Sequence, residues 1–504
     1  MNVDHVAAAI PSRNRDAQSM TLDEIRYLQA AAFVRDGIPT AAVRRDRLTR
    51  LQALIVDNVE ELASALQADF GSRSHDLSLA TDLVTSAMSL GHDRKHLSRW
   101  MRTRRTGNPL TRLALHGEVR PVPKGVVGVL GPWNFPLNLV ILPAGAAFAA
   151  GNRVMIRPSE VTARTTAVFA RLAAQYFDVE ELAVITDVHG DGADFARVRF
   201  DHLFFTGSPR VGALVAEAAG RNLVPTTLEL GGKNPVVVDP SANLERAARR
   251  IAASRLVNGG QVCLCPDYVF VPRADVERFT DLVLDEWRTR YPQIVANADF
   301  TSIVNDRNFD RVVGLLDDAV TKGAISRSAT PVGETLPDRA SRKIAPTVLA
   351  GVTEDMDIDH EEVFGPLLAV HPYDDLAAPI EHIAAAERPL TLYWYGQRNA
   401  NFEHLVANTV SGSVNVNDFA VNLLNEDLPF GGIGQSGSGY YHGIHGFNTF
   451  SHLRAIAISK LPASLGGLLN APYTRIDRSV TASQLKLVRH LVRRAGRGQI
   501  PEVG

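Results

Sequence analysis

The run V-V-G-V-L-G-P-W-N-F-P at 126–136 reads as a short buried strand that ends in a Gly-Pro turn, and the same figure returns through the next hundred residues. Strand patterns at 126–130, 153–156, 182–186, 202–205 and 223–228 are separated by helical ones near 138–150, 163–177, 192–198 and 209–220. Such alternation predicts a doubly wound parallel sheet of the α/β class. Ligands of these sheets bind beyond the carboxyl ends of the strands. Those ends carry G-P-W-N-F-P (131–136), R-P-S-E (157–160), H-G-D-G (189–192) and T-G-S (206–208), a concentration of Gly, Pro, Ser and Asn where a nucleotide would lie.

Downstream, T-L-E-L-G-G-K-N-P (227–235) and N-G-G-Q-V-C-L-C-P-D-Y (258–268) hold a carboxylate, Glu229, and both cysteines of the chain, Cys263 and Cys265. A thiol and a base brought together are the minimum for covalent catalysis at a carbonyl carbon. The plainer alternatives are a small buried apolar cysteine and a glutamate that closes a turn. Gly231, Gly232, Gly259 and Gly260 would leave backbone bare beside both groups, open to a substrate that approaches main-chain N–H donors. A second α/β stretch follows, with strands at 236–238, 268–271, 392–395 and 414–416 and helices near 242–256, 274–290 and 305–321. It needs a core of its own, so a second domain is expected to begin near Gly231.

Upstream, 21–104 repeats apolar residues at spacings of three and four and reads as helical scaffold, preceded by a loose arm over 1–20. His92 and His96 share a helix face without a third ligand, so no metal is expected. Val119–Leu130 is β-like but broken by Pro121, Pro123 and Gly125, as in an extended arm. G-I-G-Q-S-G at 432–437 matches the dinucleotide fingerprint by letter, yet Pro429-Phe430 precedes it rather than a strand, so it is read as a decoy. From 485 to 494, Leu485, Val488, Leu491 and Val492 alternate with Lys486, Arg489, Arg493 and Arg494. A helix of this kind can lie on a membrane; a solvated helix packed on the body is the expectation.

At 504 residues the chain exceeds one ordinary core. A net charge of −2 provides no field for nucleic acid. The first residues lack the basic and long apolar regions of a signal peptide, and the longest apolar run, 139–151, is broken by Pro143 and Gly145 and falls short of a spanning helix. Two cysteines in C-x-C make a poor disulfide, which points to a reducing cytoplasm.

Taken together, P-W-N-F-P, F-T-G-S-P-R-V-G, L-E-L-G-G-K-N-P, G-Q-V-C, E-E-V-F-G-P (361–366) and P-F-G-G-I-G (429–434) resemble, in order, the NAD(P)-dependent aldehyde dehydrogenases. C-P-D-Y and the ending S-G-S-G-Y-Y-H-G-I-H-G-F-N-T-F-S-H are most similar to the class 3 and coniferyl aldehyde dehydrogenase branch. The resemblance implies oxidation of an aldehyde, aromatic such as coniferyl aldehyde or medium-chain aliphatic, to the acid through a thiohemiacetal and a thioester. Cys263 matches the nucleophile, Asn134 the oxyanion donor and Glu229 the general base. The cofactor would meet Pro132, Trp133, Arg157, Ser159 and Glu160, then Gly207, Ser208, Pro209, Arg210, Val211 and Gly212 at a helix start, and Leu230, Gly231, Glu362 and Phe364. Arg157 stands where the family usually has Lys, and its planar fork suits phosphate; Glu160 would repel a 2′-phosphate, so NAD leads and NADP stays open. The implied organisation is an N-terminal arm (1–20), a nucleotide domain (21–230) with an arm near 112–124 that pairs with 444–460 in oligomerisation, a catalytic domain (231–430) and a C-terminal return with a basic tail (431–504), in a homodimer. Alternatives on the same scaffold are a CoA-acylating semialdehyde dehydrogenase and a non-catalytic binding protein.

Overall fold

The computed structural model describes residues 17–107, 115–460 and 470–495. The loose arm expected over 1–20 therefore lies outside the described residues as far as residue 16. Clustering by contact gives two compact units. One comprises the described residues up to Arg102 and Pro121–Leu453; the other comprises Thr103–Arg120 and the described residues from Arg454 on.

The first unit contains two sheets. One has six strands in the order Gly437–Ser438, Thr226–Leu230, His202–Gly207, Val126–Leu130, Arg153–Arg157, Leu182–Val184. The four pairings among its first five strands in chain order are parallel, and the chain order reverses at Val126–Leu130, where Arg153–Arg157 lies on one side and His202–Gly207 on the other. That reversal leaves the crevice at which such sheets bind ligands. Val126–Leu130 and Arg153–Arg157 are buried along their whole length, which is why they read as unbroken apolar runs instead of alternating ones.

The fifth strand begins three residues later than its apolar pattern suggests. Leu223 and Val224 are not strand but the cap of the preceding helix: their amides donate to the carbonyls of Gly220 (3.1 Å) and Ala219 (3.0 Å), and Leu223 takes φ 56°. The short segment Gly437–Ser438 joins the sheet antiparallel, with Gly437 opposite Glu229. This is where the G-I-G-Q-S-G decoy goes. A side chain on Gly437 would strike the Leu228 carbonyl and one on Gly432 the Ser436 carbonyl, so these glycines permit close packing on the strand that bears Glu229.

The second sheet has seven strands in the order Ile325–Ser328, Thr347–Ala350, Leu367–Tyr373, Pro266–Pro272, Asn234–Val238, Thr391–Tyr395, Ser413–Val416. Three of these, at 325–328, 347–350 and 367–373, fall in the interval that the sequence pattern left unassigned. Ile325–Ser328 is a half-polar antiparallel edge strand, and I-S-R-S carries no apolar alternation to mark it.

The second unit is built on a three-stranded sheet in which Leu115–Pro123 lies between Arg104–Thr106 and Ser451–Ser459. The arm expected near 112–124 thus meets the 444–460 segment of its own chain; residues 112–114 lie outside the described residues. The helix Arg475–Ala495 follows. Apart from Asp477 and Val480, its described side chains are exposed. Among the described residues no helix is long and apolar enough to cross a membrane.

Candidate active site

One cavity of about 2230 Å³ lies in the first unit beyond the carboxyl ends of the six-stranded sheet, lined by Asn134, Glu229 and Cys263 together. Residues as far as 129 places apart in sequence meet because each sits at or near the end of an element. Asn134 follows the strand Val126–Leu130, Glu229 ends Thr226–Leu230, and Cys263 precedes Pro266–Pro272 of the other sheet.

The cysteine loop is forced into shape by backbone. Asn258, Gly259 and Gly260 take φ 52°, 66° and 82° in succession, a left-handed run that is costly to residues with a Cβ. A side chain at Gly260 would strike the Gly365 carbonyl, and one at Gly259 would come within 2.8 Å of the Thr301 carbonyl. Gly231 likewise faces the Glu362 carboxylate. The glycines expected to leave room for substrate thus leave room for neighbouring protein instead. Asn234, from L-E-L-G-G-K-N-P, then pins the loop: its amide donates to the carbonyls of Cys263 (2.7 Å) and Cys265 (3.0 Å), while the Tyr393 hydroxyl donates to that of Leu264 (2.7 Å). With three consecutive carbonyls held from behind, the Cys263 side is presented to the cavity. Cys265 is buried, and its thiol donates to the Ser254 carbonyl (3.3 Å).

The Asn134 amide donates one N–H to the Gln261 carbonyl at 3.1 Å, which leaves its second N–H uncommitted. Behind it, Arg73 and Asp82 form a fully buried ion pair at 2.6 Å. Arg73 donates to the Asn134 carbonyl (3.3 Å), and Asp82 accepts the amides of Leu137 (3.1 Å) and Asn138 (3.2 Å). Sequence reading placed both residues in scaffold. Nothing local marks them, because a charged pair nine positions apart reads as solvated helix surface until the fold buries it. Breaking a buried pair leaves a lone buried charge, at a cost of about 3–5 kcal/mol. Asp82→Asn should lower unfolding free energy by about that much in a denaturant titration, and Asp82→Asn with Arg73→Met should recover part of the loss.

Burial dominates the electrostatics of the site. Glu229 is buried, neither carboxylate oxygen has a hydrogen-bond partner, and burial raises its pKa well above the usual carboxylate range. Burial, followed by the charges of Glu362 and Glu229, pushes the Cys263 thiol up as well. Glu362 is pushed up to about 8, by burial first and then by Asp267.

Of the residues assigned to cofactor, all but Gly212 line the same cavity. Gly212 lies behind the wall, where a side chain would come within 2.6 Å of Leu230; it brings the helix Pro209–Arg221 close to the sheet. That helix opens on the cavity with Ser208 as its cap and Pro209 in its first turn, leaving amides and the positive end of the helix dipole for an anion. Arg157 is buried and its guanidinium donates to Asp187 at 2.6 Å. The arginine fork expected to meet phosphate is therefore already paired, whereas Glu160 is exposed at the cavity rim. The loop that carries Glu362 and Phe364 is clamped: Lys233 reaches Asp267 (2.5 Å) and the Ile358 carbonyl (2.7 Å), Arg311 reaches the carbonyls of Glu362 (3.1 Å) and Val363 (2.7 Å), and Arg255 reaches that of Gly365. Phe364, held at φ 46°, sets its ring edge-on to Trp133 at 5.3 Å. Cavity volume, helix terminus and carboxylate rim fit a dinucleotide.

Comparison with known proteins agrees. Residues 16–456 match the aldehyde dehydrogenase family. A probable coniferyl aldehyde dehydrogenase of Caulobacter vibrioides is 42% identical over 94% of this chain and 98% of its own length. The substrate-bound Staphylococcus aureus AldH structure superposes with a TM-score of 0.84 at 31% identity, over 92% of this chain and 99% of that one. A Pseudomonas syringae indole-3-acetaldehyde dehydrogenase, solved with NAD+ and IAA, gives a TM-score of 0.78 at 25% identity over 86% and 88% of the two chains. The chain belongs to the aldehyde dehydrogenase family and is an NAD(P)-dependent oxidoreductase acting on aldehydes, most like the coniferyl aldehyde dehydrogenases.

Proposed function

We propose that the protein oxidises an aromatic aldehyde of the coniferyl type to its carboxylic acid through a covalent intermediate on Cys263. The observation that carries this reading is the meeting of Cys263, Glu229 and Asn134 on one cavity wall. The Cys263 thiol gives its proton to water and its sulfur adds to the aldehyde carbon, which becomes tetrahedral with a negative oxygen. That oxygen is received by the free Asn134 N–H and the Cys263 amide, a pair whose members are each typically worth about 100- to 1000-fold in rate. When bound, a nicotinamide dinucleotide supplies the hydride acceptor and a positive ring charge. Cys263 is left as a thioester, and Glu229 takes the proton of the water that hydrolyses it. Glu362 and Phe364, on their clamped loop, orient the cofactor's nicotinamide end; Ser208–Val211 hold its pyrophosphate.

Walls from Leu139, Leu142, Phe419, Phe430 and Tyr441 favour a planar aromatic substrate, with medium-chain aliphatic aldehydes as the second reading. The test is a panel of both kinds at matched concentration, with product analysis in the presence and absence of CoA. Higher kcat/KM for the aromatic set, and free acid as product even with CoA present, support the proposal; acyl-CoA as product would overturn it in favour of the acylating alternative.

NAD is the proposed cofactor, because Asp187 already neutralises Arg157 and Glu160 faces the cavity. Glu160→Gln should raise kcat/KM for NADP relative to NAD about tenfold, equivalent to about 1.4 kcal/mol of removed repulsion. An unchanged ratio would remove Glu160 from the adenosine ribose. We further propose a homodimer in the cytoplasm, with residues 21–230 serving the nucleotide, 231–430 the catalytic loop and 431–504 the return and tail.

A further inference from the structure

The helix Arg475–Ala495 is set apart from the chemistry described above by its charge. It holds six Lys and Arg residues against one acid, Asp477, in a chain whose 53 basic and 55 acidic residues otherwise nearly cancel. Asp477 is occupied in the cap, where it accepts from the Thr474 amide and hydroxyl, both at 2.7 Å. At roughly 100° per residue, Ile476, Val480, Leu485, Leu487, Val488, Leu491 and Val492 fall on one half of the helix, with Arg494 at the C-terminal end of that half. Arg475, Arg478, Lys486, Arg489 and Arg493 fall on the other half. The apolar half is uncovered: Ile476 is 73% exposed, Leu487 59%, Leu491 54% and Val492 64%.

We infer that this helix binds in the plane of an anionic phospholipid surface, its aliphatic half entering the interface and its basic half meeting the headgroups. Three features of the helix argue for that occupant. A polar face of nearly one sign suits a surface of the opposite sign, whereas helices that pack on protein usually carry both signs on the solvated side. Two copies of the helix brought together by their apolar halves would crowd like charges along both margins, which opposes self-pairing. A nucleic acid would engage the cations and leave the aliphatic half in water. Neither half alone suffices, since exposed cations are screened within about 8 Å at physiological salt and the aliphatic half is short of a spanning segment.

The full-length protein should co-sediment with vesicles of phosphatidylcholine and phosphatidylglycerol but not with phosphatidylcholine alone, and raised salt should weaken the binding. Leu487→Gln with Leu491→Gln, and separately Arg489→Gln with Arg493→Gln, should each reduce vesicle affinity at least tenfold. Both pairs should leave helical content, molecular mass in solution and aldehyde oxidation in solution unchanged. Equal binding to neutral vesicles, no binding at all, or a fall in molecular mass in the Leu variants, which would assign the apolar half to a second copy of the chain, would each overturn the inference. Because oxidation is measured without vesicles, failure here is separate from failure of the catalytic proposal.

Discussion

Cys263→Ala should abolish aldehyde oxidation, whereas Cys265→Ala should retain most of it. Loss of a nucleophile that works as part of a unit typically costs on the order of a million-fold in kcat, below what a steady-state assay detects. The two thiols stand one residue apart, yet the fold treats them oppositely. Cys263 lines the cavity, and Cys265 is buried with its thiol bonded to the Ser254 carbonyl. Replacing Cys265 by Ala removes a small buried side chain and a weak donor, a change that stability registers before activity does. Initial rates for the two purified variants decide the matter. If Cys265→Ala is the dead one, the register of the site is wrong.

Glu229→Gln should separate the reaction into halves. Hydride leaves before hydrolysis, so a variant that lacks only the hydrolytic base should release a burst of NADH up to about one per active site and then stall. Rapid-mixing absorbance at high enzyme concentration reads this directly. Absence of a burst, with a slow linear rate from the first milliseconds, would move Glu229 to the step before hydride transfer, as the base for Cys263. Because burial holds the Glu229 pKa well above its ordinary value, the wild-type deacylation rate should rise with pH through that raised pKa as the base form appears. Stability runs the other way. Between the unfolded carboxylate pKa and the raised folded one, the native state binds the extra proton, so raising pH through this window destabilises the fold. Glu229→Gln should remove that slope and be the more stable protein at the upper end, which a pair of pH-resolved denaturant titrations would show.

What could be read from the sequence was set by range. Val126–Leu130, Arg153–Arg157 and most of His202–Gly207 were visible because they are buried on both faces, and their apolar runs say so locally. The Thr226 start was misplaced because an apolar Leu-Val pair can cap a helix as easily as open a strand. The motif residues were legible by type, but their reasons were not. Gly259 and Gly260 read as open ground for substrate and turned out to face the carbonyls of Thr301 and Gly365, contacts that exist only once the two sheets have met. Arg157 read as free to take phosphate until Asp187, thirty positions on, appeared beside it. Arg73 and Asp82 carried no signal at all, since burial of an ion pair is a property of the folded chain.

The pairing of Gly437 with Glu229 bears on the order of synthesis. A ribosome delivers the thiol, the base and most of both sheets well before it delivers the two-residue strand that covers the edge of the strand bearing Glu229. Until then that edge presents unpaired amides and carbonyls. The nascent chain therefore completes the sheet beside Glu229 only when residue 438 has emerged and folded back, so the edge that frames the base is closed late in synthesis.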